Sequence, residues 1–298
     1  MTPEPQMPAL HDCSLITLAH NGARFTEHWL ANLLAAADLP REIFLIDNAS
    51  DDRTPDLVAE ARKELGALGA DVITWRNEEN VGCSRARNEP WARATGRYTV
   101  FMDNDAAVCT ADWLSRLIQA MDGQPDLAML GPKMIYPFQP HPIQCAGAGL
   151  TPKGRVWFRG RGFPRHEPRF CEFRTVPLLI SACWILRTEL RDRIGMLDEL
   201  FHPVQYEDLD LCLRAWEAGF RVAYTPDVEM YHFEGITTES IGGDPYRRNI
   251  ARNSAKFRRK LHHAFAKYGD PATDEDLHWR SREEMRLQPT LDTALVCP

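Results

Sequence analysis

The chain has 298 residues, 44% hydrophobic and 26% charged, with a formal net charge of −7. These values belong to an ordinary soluble globular protein, long enough to bury a substantial core in one large domain or two small ones. The acidic balance argues against a general nucleic-acid binder.

Reading from the N-terminus, MTPEPQMPALHD has no basic stretch followed by an apolar one and does not read as a secretory signal. The first 110 residues then alternate strand and helix patterns. Cys13–Ala19 (CSLITLA) is apolar and β-branched, Phe25–Ala36 carries apolar residues at helical spacing, and Glu42–Ile46 is a second strand. Thr54 and Pro55 open a second helix, with Thr54 expected as its capping hydroxyl. Asp71–Trp75, Ser84–Ala94 and Tyr98–Met102 complete the alternation as strand, helix and strand. This pattern predicts an α/β fold with a mostly parallel central sheet and flanking helices, whose ligands bind beyond the carboxyl ends of the strands.

Polar clusters stand at three of those ends: His20-Asn21-Gly22, then Asp47-Asn48 running on to Ser50-Asp51-Asp52, and Asp103-Asn104-Asp105. From about residue 125 the alternation fades, and residues 137–175 read as a long irregular segment with a local excess of Lys and Arg over Glu. Leu178–Leu186 predicts another strand; its parent run, Val176–Leu186, is too short to span a bilayer. Tyr206–Ala218 is a helix stopped by Gly219, and Arg221–Tyr224 a strand before His232. A basic C-terminal helix follows. Eight cysteines, with no CxxC pair, predict reduced thiols, a cytoplasmic protein and no structural zinc.

Two carboxylates ending an apolar strand, Asp103 and Asp105, suit either a solvated turn or a hard cation such as Mg²⁺ or Mn²⁺ beside a diphosphate. Asp47 can accept a ring N–H from a pyrimidine or close an Asx turn. The Asn80–Asn88 loop, with Arg85 and Arg87, suits phosphate or is a plain helix start. Glu207 and Asp208 complement a helix dipole or supply a general base. His232 is a metal or phosphate ligand or a structural histidine.

In this order, LIDNASDDRT, NVGCSRARN, TVFMDNDA, VQYEDLDLCLRAWEAGF and YHFEG resemble the family 2 glycosyltransferases of the GT-A fold, over about residues 13–260. The resemblance implies a Rossmann-like nucleotide-sugar-binding half at 13–110, an acceptor half at 111–240 and a helical extension at 241–298, after a tail at 1–12. It implies Asp208 as catalytic base. Ala19, Asn21, Asp47, Asn80, Arg87, Asp103, Asn104 and Glu207 would bind the nucleotide-sugar, Arg87 by stabilising the departing diphosphate. Asp105 and His232 would hold Mg²⁺ or Mn²⁺. The expected reaction is inverting transfer from a UDP- or dTDP-sugar to a glycan, lipid-linked or small-molecule hydroxyl. The chain departs from relatives at Ala19-His20-Asn21, where a Tyr commonly precedes the Asn, and at Asn104 inside the Asp-x-Asp.

Two rivals use similar parts. A sugar-phosphate nucleotidyltransferase would carry a glycine-rich, basic loop after the first strand, of which HNGARF is a poor version. A non-catalytic nucleotide-sugar-binding protein would not need Asp208. Finally, Arg247–Leu261 holds seven Lys/Arg and no acid, with Ile250, Phe257 and Leu261 on one helical face. This reads either as a peripheral contact with an anionic membrane or as a helix packed on the catalytic domain.

Overall fold

Apolar runs too β-branched for helix, each followed by a turn and an amphipathic helix, build the first wing of the sheet. In the computed structural model, which describes residues 7–234 and 243–287, β1 (Ala9–Ala19) leads to α1 (Ala23–Leu34) and β2 (Asp38–Asp47). Next come α2 (Thr54–Ala67), β3 (Asp71–Arg76), α3 (Cys83–Arg93) and β4 (Tyr98–Met102). β1 pairs in parallel with β2 and β4, and β2 with β3. The expected boundary at 240/241, Cys297 and the first half of the expected tail lie outside the described residues. β1 itself starts at Ala9, ahead of its apolar run.

α2 starts where its proline predicts, but the cap differs. Thr54 is already helical, and the Asp52 carboxylate accepts from the Thr54 N–H at 2.9 Å and the Ala23 N–H at 2.8 Å. One acid thereby ties the starts of two helices, and these bonds hold it below the usual carboxylate range despite partial burial.

The second wing starts with β5 (Ala106–Val108), α4 (Trp113–Asp122) and β6 (Leu127–Ile135). The alternation thus continues beyond residue 125, and all nine β6 residues are buried. Gly131 and Pro132 interrupt that run in sequence; Gly131 is there because a Cβ would meet Leu179 at 2.6 Å. The 137–175 segment is largely irregular, with short strands β7 (Ile143–Cys145), β8 (Ala148–Leu150), β9 (Val156–Phe158) and β10 (Arg174–Thr175).

Of the run at 178–186 only the last four residues are in β11 (Cys183–Arg187), which lies antiparallel between β4 and β6. Short α5 (Leu190–Ile194) and α6 (Glu207–Glu217) follow, then β12 (Arg221–His232), extending well past Tyr224. The strand order is β10-β12-β6-β11-β4-β1-β2-β3, with β5 on β12 and β7 on β6. The sheet is thus mixed, with its first wing wholly parallel.

The C-terminal α7 (Gly243–Tyr268) and short α8 (Asp274–Leu277) pack on this body. Phe257, Leu261 and Phe265 of α7 are buried, so its apolar face is spent on the domain. No helix among the described residues is long and apolar enough to cross a membrane. Trp29, Trp91, Trp113 and Trp184 are among the largest fully buried side chains of the core.

Candidate active site

The strand β4 delivers Asp103 to the sheet's carboxyl edge, and the chain turns at once, the Ala106 N–H bonding the Asp103 carbonyl at 3.1 Å. β5 then pairs antiparallel with β12 in a register that sets Ala106 opposite His232. This places the His232 Nε2 3.4 Å from Asp105 Oδ1. Ligand atoms of Asp103, Asp105 and His232 all lie within 4.8 Å of one another. His232 thus meets two aspartates from far earlier in the chain because a hairpin-like pairing closes on the turn after β4.

Gln144, on β7, orients the imidazole: its Oε1 lies 2.8 Å from His232 Nδ1, and its amide donates to the His232 carbonyl at 3.3 Å. With Nδ1 donating its proton to that amide oxygen, Nε2 faces the two aspartates. This is the arrangement that fixes a metal-binding tautomer. Burial alone would lower the His232 pKa, but the Asp105 charge and hydrogen bond outweigh it and push it up to about 9. Two carboxylates and one imidazole form a donor set suited to Mn²⁺, with phosphate and water oxygens left to complete it. Gln144 sits in the irregular segment, where periodicity gave no sign of it.

Asn104, between the two aspartates, is buried and donates to Thr26 Oγ1 at 3.0 Å, pinning the turn to α1. Ala19 is buried and its carbonyl accepts from the Asn48 N–H at 2.8 Å. Asn21 accepts from the Asp51 N–H at 2.9 Å and donates its own N–H to Ser50 Oγ at 2.9 Å. Asn80 accepts from Asn48 Nδ2 at 2.8 Å and from the Gly82 N–H at 3.0 Å, and Asn48 Oδ1 in turn accepts from Asn77 and Val81. These asparagines weld three loops at the ends of β1, β2 and β3. Asp47 Oδ1 closes an Asx turn on the Ser50 N–H at 2.9 Å, while Oδ2 is buried without a hydrogen bond, 3.3 Å from Arg76 Nε.

Arg87, for which the family resemblance implies a diphosphate contact, is buried beside the end of β4. Only 3% exposed, its guanidinium donates to Asp103 Oδ1 and, at 3.2 Å, to Ser181 Oγ. Although its own burial opposes the charge, neighbouring anionic groups raise its pKa. The side chain is a bridge from α3 to the end of β4 rather than an arm reaching into solvent, because α3 packs directly under that strand end.

Glu207 and Asp208 start α6 on the far side of this bridge. Glu207 is 2% exposed, with Oε2 lacking a hydrogen-bond partner. Burial and then the Asp208 charge push its pKa up to about 7. Asp208 is half-buried, and its Oδ2 accepts from the Ser181 N–H at 3.2 Å and its Oδ1 from the Leu209 N–H at 2.8 Å. Burial lifts its pKa to about 6, with those two N–H groups and Arg87 opposing. As the two carboxyls interact, the pair titrates near neutral pH, where a general base works best. Ser181, absent from the sequence reading, touches both Arg87 and Asp208.

The approach to α6 is unusual: Gln205 (φ 83°) and Tyr206 (φ 82°) are successive non-glycine residues in the left-handed region. Such conformations cost about 1–2 kcal/mol per residue and persist where the surroundings hold them. A cleft of about 320 Å³ opens nearby, lined by Glu79, Asn80, Val81, Ser84, Arg85, Glu199 and His202.

Known proteins resemble this chain at low identity. An uncharacterised protein of Sinorhizobium fredii is 28% identical over 249 residues, 79% of this chain and 26% of its own length. The N-acetylglucosaminyl-diphospho-decaprenol L-rhamnosyltransferase of Mycobacterium tuberculosis is 25% identical over 253 residues, 78% of each protein. The crystal structure of GalNAc-T7 with UDP, GalNAc and Mn²⁺ superimposes with a TM-score of 0.63 at 17% identity, over 93% of this chain and 54% of that one. The chain therefore spans about a quarter of the rhizobial relative and about half of the GalNAc-T7 chain. Residues 14–195 match the family described as Glycosyl transferase family 2, and with the GT-A architecture around Asp103, Asp105 and His232 this chain belongs to that family.

Proposed function

We propose that the protein is an inverting glycosyltransferase that moves a sugar from a UDP- or dTDP-sugar to an acceptor hydroxyl. The observation that carries this reading is the pairing of two separate carboxyl sites across Arg87. Asp103, Asp105 and His232 form the metal-type cluster on one side, and Glu207 and Asp208 have near-neutral pKa values on the other. A nucleotide-sugar-binding protein without catalysis has no use for the second site. The nucleotidyltransferase alternative loses ground because the chain enters α1 directly from Gly22, without a glycine-rich loop.

In this reading Asp208 accepts the proton of the acceptor hydroxyl as that oxygen attacks the anomeric carbon. The bond from that carbon to the diphosphate oxygen breaks and leaves its electron pair on the diphosphate. A single displacement with one base inverts the anomeric centre, and no side chain is needed as a covalent nucleophile. Asp105 and His232 would hold Mg²⁺ or Mn²⁺, with Asp103 beside them, and such a cation would supply positive charge to offset that of the departing diphosphate. The buried Asp47 Oδ2 would accept the ring N–H of a uracil or thymine base. Asn21 and Asn80 shape the loops around that base, and Asn104 holds the turn that aims Asp103 and Asp105.

The acceptor is a glycan, a lipid-linked sugar or a small molecule. The outer side of α7 leaves Arg248 and Arg259 exposed, which suits an acceptor held at an anionic membrane surface, and a cytoplasmic site of action fits such a peripheral contact. The deciding experiment incubates the protein with UDP-N-acetylglucosamine, UDP-glucose, UDP-galactose, dTDP-rhamnose and GDP-mannose, with Mn²⁺ or with EDTA, and measures nucleotide release and melting temperature. A UDP- or dTDP-sugar is expected to be turned over with Mn²⁺ and spared in EDTA, and Asp105→Ala to abolish the activity and the rise in melting temperature that Mn²⁺ and nucleotide together produce. Preference for the GDP-sugar, or equal turnover in EDTA, would refute the donor or the metal assignment.

A further inference from the structure

The loop leading into Glu207 and Asp208 begins with a short turn in which the N–H groups of Leu200, Phe201 and His202 reach back to Asp198 and Glu199. Its later carbonyls are gripped from outside, chiefly by one stripe of polar side chains on α7. Lys256 Nζ donates to the Leu200 carbonyl at 2.6 Å, and Arg252 donates to that of His202 at 3.2 Å. Asn249 Nδ2 donates to Val204 O at 2.7 Å. Asn253 Nδ2 lies 2.6 Å from Phe201 O, 3.0 Å from Val204 O and 3.2 Å from Gln205 O. The remaining carbonyl, of Pro203, accepts the first N–H of α3, from Cys83, at 2.7 Å. Thus every carbonyl from 200 to 205 is held.

Positions 249, 252, 253 and 256 follow the helical repeat, so they share one face of α7. Asn253 is fully buried and Asn249 nearly so. Burying a carboxamide costs free energy unless its hydrogen bonds are made, and a helix that only needed to stick could use leucines at these places. What the carboxamides supply is direction: each donor fixes the orientation of a peptide plane. The last planes held are those of the Val204 and Gln205 carbonyls, one on each side of Gln205, the first of the two left-handed residues Gln205 and Tyr206. The Tyr206 ring completes the contact against Phe257, 5.3 Å between centroids.

We propose that α7 is the positioning element of the catalytic base, and that Asn253, assisted by Asn249, is the positioning residue that sets where Asp208 stands. The inference rests on Asp208 being the base. Asn253 touches no substrate; it holds the strained approach so that α6 starts at the right point and presents its carboxylate towards the acceptor. A catalytic group must stay within about 0.5 Å of its productive place, and a shift of about 1 Å costs roughly 10²-fold in rate.

Asn253→Asp tests this, since it is almost isosteric but exchanges the only donor for an oxygen facing three carbonyls. The readouts are kcat and KM for the donor selected by the panel above, the Kd of UDP with Mn²⁺ by calorimetry, and amide exchange across residues 200–208. The expected result is a fall in kcat of about 10²-fold, UDP–Mn²⁺ affinity within about twofold of wild type, and faster exchange confined to that loop. The decisive comparison repeats the substitution in an Asp208→Asn background. With no base left to place, Asn253→Asp should then change the rate by less than about twofold, the non-additivity of groups acting as one unit.

A full second loss in that background would make Asn253 a structural residue and overturn the proposal. So would wild-type kcat in Asn253→Asp, or a loss carried by UDP affinity. If Asn253→Asp does not fold, Asn249→Ala, which removes one donor to Val204, carries the same double comparison with a smaller expected loss. Asp208→Asn turning over at the wild-type rate would instead remove the base reading, an outcome separate from any result with Asn253.

Discussion

Arg87→Met separates a buried bridge from a phosphate-binding arm. Arg87 is 3% exposed and joins Asp103 and Ser181, with the buried Glu207 close enough for their charges to interact. Methionine keeps much of the volume and removes the cation. Leaving a buried carboxylate unpaired costs about 3–5 kcal/mol; since the Asp103 side chain is 29% exposed, the lower end, about 3 kcal/mol, applies. In a chain of this size, at about 2 °C per kcal/mol, the melting temperature should fall by about 6 °C at pH 7.5.

The deficit should also depend on pH with a definite sign. Arg87 stabilises the ionised carboxyls, so its loss is felt fully where they are charged and fades as they protonate. With Glu207 already near pH 7 in the wild type, the deficit should shrink at pH 5. Scanning calorimetry of both proteins without nucleotide at pH 5 and 7.5 measures it. A melting temperature within about 2 °C of wild type at pH 7.5, with UDP affinity reduced, would refute the bridge and return Arg87 to the diphosphate.

Asp208→Asn should keep UDP–Mn²⁺ binding and lower turnover by about 10²–10⁴-fold; in the wild type the rate should rise with pH through about 6, as Asp208 loses its proton. A turnover that stays flat between pH 5 and 7.5 would count against that base. Glu207, whose folded pKa of about 7 lies above its usual value of 4.5, favours the fold when protonated. Its contribution is complete below about pH 4.5 and lost as pH rises through 7. Glu207→Gln should therefore melt higher than wild type at pH 8 and equally at pH 4.5, and an unchanged difference across that range would refute the shift. For α7, whose Phe257 and Leu261 are buried, any membrane contact must be electrostatic. Sedimentation with anionic vesicles at low salt, absent with neutral ones, should vanish in added salt or in the Arg248→Glu, Arg259→Glu double variant. No sedimentation at low salt leaves α7 a wholly internal element.

The strand ends were the legible part of this protein. β4 is a buried run closed by Asp103 and Asp105, and short-range pattern suffices to locate it. α6 could be read from Leu209, Leu213 and Gly219, because an amphipathic face and a left-handed stop are local signals. β6 escaped notice because Gly131 and Pro132 punctuate a run that tertiary packing nonetheless makes a strand. Gln144, Ser181 and Asn253 had no signature, since each acts through hydrogen bonds to residues tens of positions away. The second bond of Asp52, to the Ala23 N–H, and the burial of Arg87 had no local sign for the same reason: both depend on which neighbour the fold brings near.

The antiparallel strand β11 has a consequence for the order in which the molecule assembles. Residues 9–102 contain every strand of the parallel wing, so that wing can pair as soon as it has left the ribosome. The edge that later joins the second wing is β4, which carries Asp103 and Asp105 just past its end. Only when Cys183–Arg187 arrives, more than eighty residues later, does the edge close, with Cys183 opposite Met102 and the Ala182 carbonyl taking the Asp103 N–H. The charged tip is thus covered by a later segment of the chain, while the guanidinium that pairs with Asp103, that of Arg87, comes from the first wing itself.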